Sequence, residues 1–145
     1  MKQEDKELLI KDLCARLPYG VKAITKTNKG ENVGKIISVS TKNNIILGEL
    51  YNGKECFWLD YGSFKPYLRP LETITKEERI ELGKEIQKDK ITPYGEIKDE
   101  GVDNLLLCTI RQSTYFQEWL LSKHFDFRGL IKKGLALAAP EGMYN

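Results

Sequence analysis

Short β-rich segments separated by turn residues fill the stretch from residue 21 to residue 59. The turns contain Asn28-Lys29-Gly30, Asn43-Asn44 and Asn52-Gly53, and Asn-Gly is a strong hairpin signal because both residues tolerate the positive φ of a type I′ turn. Connections this short join antiparallel neighbours. The sequence therefore predicts an antiparallel meander of three to five strands within residues 21–72. The segments are 21–25, 33–39, 45–51 and 55–59.

Helical patterns lie on both sides of the predicted meander. Within residues 1–20, Leu9 and Leu13 recur at helical spacing, and Pro18-Tyr19-Gly20 ends the pattern. Thr75 and Glu78 form a capping box that predicts a helix from there to about residue 88. A further helix is predicted from residue 113 or 114 through 123, and Asp126 is predicted to cap a shorter one that ends near residue 134.

The order of these elements predicts an α+β fold in a single domain, residues 1–145. Residues 73–145 are expected to be mainly helical and to pack on the meander, with an exposed loop at 89–101. Residues 102–111 fit either a buried strand or a short helix. The two prolines within residues 61–70 exclude a helix and a central strand there, which leaves an edge or extended segment.

Composition narrows the protein class. The chain is 41% hydrophobic and 30% charged, which is near the average for globular proteins. No apolar run reaches the roughly 18 residues that a membrane span needs, and the N-terminus leads into no signal-type apolar segment, so a cytoplasmic protein is expected. Cys14, Cys56 and Cys108 fit neither a disulfide framework nor a Cys-x-x-Cys clip, and we expect buried or partly buried thiols.

Basic residues concentrate in the N-terminal half. Residues 16–54 contain seven basic and two acidic residues, and residues 57–69 mix aromatic rings with Lys and Arg. Surfaces that bind single-stranded nucleic acid combine these residue types, although aromatic residues in strands more often fill a core. Eight residues are candidate nucleic-acid contacts: Lys22, Lys26, Lys35, Trp58, Tyr61, Lys65, Tyr67 and Arg69.

The densest aromatic run, residues 116–131, contains the single histidine of the chain, and the tail beyond it stays apolar. Free termini are usually polar and disordered, so an apolar tail suggests docking on the same domain or on a second copy. We expect Trp119 and Phe125 to be buried and the tail to be held against folded protein. Seven residues are candidate interface positions: Trp119, His124, Phe125, Phe127, Leu137, Met143 and Tyr144.

His124 is also the only histidine available for catalysis or metal binding. A zinc or iron site needs three or four donors, and one histidine with scattered cysteines does not supply them. Nucleophilic catalysis would have to use His124, with Asp126 as its partner, and no nucleophile motif accompanies the pair. No phosphate-binding glycine loop occurs either. The sequence therefore indicates no metal, no cofactor and no catalytic residue.

Two segments resemble small uncharacterised proteins of bacterial prophages and mobile elements. They are Phe64-Lys65-Pro66-Tyr67-Leu68-Arg69-Pro70-Leu71 with the helix start that follows, and residues 119–144 with their Phe125-Asp126-Phe127-Arg128-Gly129-Leu130-Ile131 run. The resemblance covers about a third of the chain. It implies a bacterial or phage setting and an accessory role, and it carries no activity or catalytic residue with it.

Three functional hypotheses follow. The first is a non-enzymatic binding or adaptor domain whose partner is another protein, with a homodimer as one form. The second is a nucleic-acid-binding accessory protein that uses the basic meander and residues 57–69. The third is a small hydrolase that uses His124. Outward aromatic rings beside Lys35, Lys65 and Arg69 would favour the second, whereas outward apolar residues near the C-terminus would favour a dimer.

Overall fold

A computed structural model describes residues 2–42, 45–54, 56–60, 64–88 and 114–144. Within these ranges the backbone alone is described at residues 27, 41–42, 45–50, 56–60, 85–88 and 114–115. The elements confirm the predicted α+β fold. They are α1 (Gln3–Arg16), a 3-10 turn (Leu17–Tyr19), β1 (Lys22–Thr27), β2 (Gly30–Lys42), β3 (Ile45–Tyr51), β4 (Cys56–Asp60), β5 (Phe64–Leu68), a second 3-10 turn (Leu71–Thr73), α2 (Lys76–Lys88), α3 (Thr114–Ser122) and β6 (Leu137–Ala138).

The strands form one sheet in the order β4-β3-β2-β1-β5-β6. The first four follow one another as an antiparallel meander, as predicted. The sheet is not a pure meander, because β5 crosses back to pair with β1 and β6 then pairs with β5 in parallel. The long-range pairing of β5 and β6 is the part of the topology that turn signals could not predict.

The expectation that residues 61–70 exclude a central strand is wrong, because β5 lies between β1 and β6. Pro66 sits opposite Ala23 of β1. Pro66 and Leu68 are two residues apart on the strand, so their backbone groups point to the same neighbouring strand. The Leu68 carbonyl accepts from the Ala139 N–H on the β6 side. The Pro66 nitrogen therefore faces away from β1, and its missing N–H removes no bond from the β1–β5 ladder.

The Asn52-Gly53 connection differs from the predicted type I′ turn. Tyr51 pairs with Cys56, so four residues connect β3 and β4. Gly53 adopts φ 90°, whereas Asn52 has no positive φ and its side-chain oxygen accepts from the Lys54 N–H at 3.0 Å. A side-chain turn of this type replaces the type I′ turn.

The hydrophobic core lies on one face of the sheet, where α1 and the C-terminal residues pack against it. Leu9 and Leu13 of α1 are buried with Ile36 and Leu68 of the sheet and with Leu130. Cys14 is exposed, contrary to the expectation for the cysteines, because it lies outside the α1 stripe formed by residues 9, 12, 13 and 16. The side chains of Cys56 and Cys108 lie outside the described residues.

Contacts divide the chain into two compact units. The first contains residues 1–70 and 121–145, and thus the whole sheet with α1; the second is Leu71–Leu120. In the second unit α2 begins at the predicted capping box, where the Thr75 N–H donates to Glu78 and the Glu78 N–H donates to the Thr75 hydroxyl. The predictions for the 89–101 loop and for residues 102–111 lie outside the described residues.

The shorter helix predicted at 126–134 is absent from the described chain, which forms turns there. Asp126 does act as a cap: its two carboxylate oxygens accept from the Leu130 and Ile131 N–H groups at 2.9 Å each. These bonds fix a tight turn instead of a helix end, so the mainly helical description of residues 73–145 does not extend over residues 125–144. Among the helices in the described ranges, none combines the length and apolarity needed to cross a bilayer.

Candidate nucleic-acid interface

Side chains of the sheet alternate between a buried side and a side whose described side chains are partly or fully exposed. On β1, Ala23 and Thr25 are buried, whereas Lys22 and Ile24 are partly exposed and Lys26 is fully exposed. The ladders carry this alternation to the neighbouring strands, because directly paired residues point to the same side of a sheet. We call this exposed side the open face. Its described members are Lys22, Ile24, Lys26, Glu31, Val33, Lys35, Ile37, Tyr51, Lys65 and Tyr67.

The open face carries exposed apolar groups next to lysines. Lys35 pairs with Lys22 on one side and with Tyr51 on the other, which gives a row of two cations and a ring across three strands. Tyr51 is 44% exposed, and Val33 and Ile37 are exposed to a similar extent. Ile37 is the extra residue of a β-bulge in β2, which turns its side chain outward.

The charges of the open face are only partly compensated. Lys26 pairs with Glu31 at 2.9 Å, and both side chains are well exposed. Among the side chains that the structure describes, Lys35 and Lys65 take part in no ion pair. Among the described side chains of the open face, four lysines against one acid leave an excess of positive charge, which favours an anionic partner.

The remaining predicted nucleic-acid contacts lie elsewhere or outside the description. Trp58 pairs with Glu49 in the β3–β4 ladder, but its side chain is not described, and Tyr61 lies outside the described residues. Tyr67 is half-buried at the end of β5. Arg69 stacks its guanidinium on the buried Phe125 ring, 4.2 Å from the centroid. The structure thus groups Lys22, Lys26, Lys35, Lys65 and Tyr67 on one face and places Arg69 on the C-terminal residues.

A second cluster of cations and rings is formed by the C-terminal residues. We call His124, Phe125, Asp126, Phe127, Arg128, Met143 and Tyr144 the C-terminal anchor. Its backbone pairs with Arg69, the residue that follows β5. The Arg69 N–H donates to the His124 carbonyl, and the Asp126 N–H donates to the Arg69 carbonyl, both at 2.8 Å. The anchor residues therefore continue the sheet beyond β5.

Tyr144 fills the point where β1 and β5 separate. The described β1–β5 ladder ends at Ala23 and Pro66, and beyond it the Tyr144 hydroxyl accepts from the Lys22 N–H at 2.9 Å and donates to the Tyr67 carbonyl at 2.7 Å. Burial raises the pKa of the Tyr144 phenol to about 12, so the hydroxyl keeps its proton. The Lys22 ammonium also donates to the Met143 carbonyl at 3.0 Å.

His124 lies beneath Tyr144. The two rings stack with centroids 3.7 Å apart, and His124 is 6% exposed. Burial lowers the pKa of His124 to about 4, assisted by the positive charges of Arg16, Arg69 and Lys22. His124 has φ 64°, a left-handed conformation that follows the end of α3 and that His tolerates better than most residues. It lies near a helix end, as the sequence predicted.

A buried ion cluster fastens the anchor to α1. Asp12 and Arg16 are both 0% exposed and bond through the Arg16 Nε at 2.7 Å, and Arg128 donates to the same carboxylate at 2.6 Å. Arg16 also donates to the Phe125 carbonyl at 2.7 Å. Sequence reasoning missed this cluster, since charged residues are expected on the outer face of a helix; the i, i+4 spacing of Asp12 and Arg16 was the available signal.

The candidate interface residues are turned largely toward the interior. Trp119 is 7% exposed and Phe125 is 0% exposed, as expected. Phe127 is half-buried, with the Arg128 guanidinium 4.5 Å from its ring centroid. Leu137, Met143 and Tyr144 are half-buried as well, and the tail is bonded to the sheet. In the described part of the chain, the apolar C-terminal residues form no exposed patch.

The surroundings of His124 do not match a hydrolytic dyad. The carboxylate oxygens of Asp126 accept from two backbone N–H groups, and the buried Nδ1 atom of His124 has no hydrogen-bond partner among the described residues. In the described ranges, no three His, Cys, Asp or Glu side chains are grouped as a metal site would need. Comparison with known proteins adds no analogy, since no family model, curated protein or solved structure matches this chain.

Proposed function

We propose that the protein is a nucleic-acid-binding accessory protein whose open face binds a single strand. The observation that carries this proposal is the exposed Tyr51 ring placed directly beside Lys35 on the open face. A base stacks on a ring or an apolar side chain, while the neighbouring phosphate pairs with a lysine. Both parts of such a contact are present within one cross-strand pair.

The exposed apolar groups favour a single strand over a duplex. Val33, Ile37 and Tyr51 offer flat or aliphatic surface that gains by covering the face of an unstacked base. In a duplex the bases are stacked on one another and only phosphates and groove edges are accessible. Lysines alone would serve both ligands, so the apolar residues of the open face account for the proposed preference.

Protein binding through the C-terminal residues has less support. A dimer would be favoured by outward apolar residues near the C-terminus, but Leu137, Met143 and Tyr144 are half-buried and the tail is bonded to β1 and β5. The hydrolase hypothesis is likewise weakened, because His124 is covered by the Tyr144 ring and a pKa of about 4 makes it a weak base at neutral pH. The bacterial or phage setting implied by the resemblance is consistent with an accessory binding protein.

Fluorescence anisotropy with a labelled oligothymidylate and with a duplex of equal length tests the proposal. We expect tighter binding of the single strand and an affinity that falls steeply as salt rises. Tyr51→Ala should weaken binding by about 5-fold to 150-fold, the range for loss of one stacked base. Tyr19→Ala is the matched control, because Tyr19 is 37% exposed but lies in the turn before β1. Absence of binding at low salt, or equal losses in the two variants, contradicts the proposal.

An acidic polypeptide is the competing occupant of a positive face. Titration with polyglutamate in the same buffer distinguishes it from nucleic acid. We expect polyglutamate to bind more weakly than the oligonucleotide and to be insensitive to Tyr51→Ala, since it has no base to stack. If polyglutamate binds as tightly and the oligonucleotide gains nothing from Tyr51, the open face recognises charge alone and the proposed function is wrong.

A further inference from the structure

Lys22 and Lys35 face each other directly in the β1–β2 ladder. Like charges at directly opposite positions, with Cβ atoms roughly 5 Å apart, destabilise a sheet. Neither lysine forms an ion pair with a described side chain. The next lysine of β1, Lys26, does have an acidic partner, Glu31. The uncompensated pair therefore stands out from the rest of the open face.

Each lysine of this pair is held by a neighbouring part of the chain. The Lys22 ammonium donates to the Met143 carbonyl at 3.0 Å, which uses one of its three protons. The stem of Lys35 lies over Gly20, where an added Cβ would come within 3.2 Å of the Lys35 Cε. Gly20 has φ 71°, so both its backbone and its missing side chain suit this arrangement. Both lysine side chains are thus supported, and their ammonium groups remain able to donate further.

We propose that Lys22 and Lys35 together form one phosphate subsite, with Tyr51 as the adjoining base subsite. The inference rests on the proposed function and deepens it. A phosphate between the two ammonium groups offsets their repulsion and accepts their remaining protons. Tyr51 follows in the same row, so the base attached to that phosphate lies on its ring. The row binds one nucleotide unit of the strand, and Lys65 contacts a different phosphate.

The salt dependence of oligothymidylate binding tests whether the two lysines share a phosphate. Each phosphate contact to a single strand contributes roughly 0.7 to the slope of log affinity against log salt. The double variant Lys22→Gln/Lys35→Gln should therefore lower the slope by roughly 0.7, because a single phosphate contact is lost. The double variant Lys35→Gln/Lys65→Gln should also lower it by roughly 0.7, because Lys22 still contacts the shared phosphate and only the Lys65 contact is lost. Lys26→Gln is the single-residue control and should change the slope least.

The outcomes separate this proposal from the one on which it rests. If both double variants lower the slope by roughly 1.4, each lysine contacts its own phosphate and the shared subsite is overturned while single-strand binding stands. If Lys22→Gln/Lys35→Gln leaves the slope unchanged, the pair contacts no phosphate, with the same consequence. If the unsubstituted protein binds no oligonucleotide, both proposals are wrong. Thermal unfolding of each variant checks that the substitutions leave the fold intact, above all at Lys22, which is partly exposed.

Discussion

The open face and the C-terminal anchor are built from the same residue types and differ in what surrounds them. Both combine lysines or arginines with aromatic rings, and Lys22 touches both. Next to the C-terminal anchor, Arg16 is paired with buried Asp12, and Arg69 covers the Phe125 ring of the anchor. On the open face, Lys35 and Tyr51 are exposed to solvent. A mixture of basic and aromatic residues in a sequence therefore indicates either a binding surface or a buried stabilising cluster. Whether the side chains are exposed or buried distinguishes the two.

Breaking the buried ion cluster should have the largest effect. Asp12→Ala leaves Arg16 and Arg128 without their carboxylate, and the cost of an unpaired buried charge is about 3 to 5 kcal/mol. Urea unfolding measures the loss. Asp5→Ala is the control, since Asp5 pairs with the half-exposed Lys133 and its loss should cost under about 1 kcal/mol. Equal losses of unfolding free energy in the two variants would show that the buried ion cluster stabilises the fold no more than a surface ion pair does.

Acid should weaken the anchor through His124. Its pKa is about 4 in the folded chain and near 6.5 in the unfolded chain, so the unfolded state binds more protons between these values. The free energy of unfolding should therefore fall as pH drops from 6.5 to 4, by up to about 3 kcal/mol. His124→Asn keeps a residue that tolerates the left-handed backbone and does not titrate there. The stability advantage of the unsubstituted protein should shrink across this window, and parallel profiles would contradict the role of His124.

Removal of the Tyr144 hydroxyl should have an intermediate effect. Tyr144→Phe keeps the ring that stacks on His124 but leaves the Lys22 N–H and the Tyr67 carbonyl without their partner, at a cost of about 1 to 3 kcal/mol. Hydrogen exchange of the Lys22 amide, measured beside global unfolding, localises the change. Unchanged protection of that amide would show that β1 and β5 remain joined there without the hydroxyl.

Tyr51→Ala should have the smallest effect on stability, within about 0.5 kcal/mol, because an exposed side chain on the open face contributes little to folding. The same variant is expected to lose oligonucleotide binding strongly, as described above. Urea unfolding beside the binding titration gives both values. A large loss of stability would show that Tyr51 has a structural role. The open face would then not differ from the anchor at the residue on which the proposed function depends most.

The sequence predicted those parts of the molecule that depend on neighbours in the chain. Hairpin turns between β1 and β4 and the Thr75–Glu78 capping box are local signals, and they identified the meander and the start of α2. Lys22, Lys35 and Lys65 were candidates from composition, but their common face follows from the ladder register. Exposed Val33 and Ile37 were not singled out, and at Ile37 a bulge interrupts the alternation.

The rest depends on contacts between distant residues. The insertion of β5 beside β1, the burial of Asp12 with Arg16 and the bond from Tyr144 to Lys22 each join segments that no local pattern connects. Binary patterning places a charged pair outside and a proline at an edge, and tertiary contacts overrode both rules here. The Asp126 cap shows the intermediate case, in which the capping signal was correct and the helix that it implied was not.

The core of the first unit is assembled from both ends of a long interruption. Leu9, Ile36 and Leu68 precede the 50 residues of Leu71–Leu120, and Leu130 and Leu135 follow them. Ribosomes add roughly 5 to 20 residues per second. Synthesis of these 50 residues therefore takes roughly 3 to 10 seconds, and the remaining core residues of the sheet are made only after it. During that interval the apolar inner face is uncovered and β5 lacks its β6 partner, which is the period in which this chain is most exposed to aggregation and to chaperones.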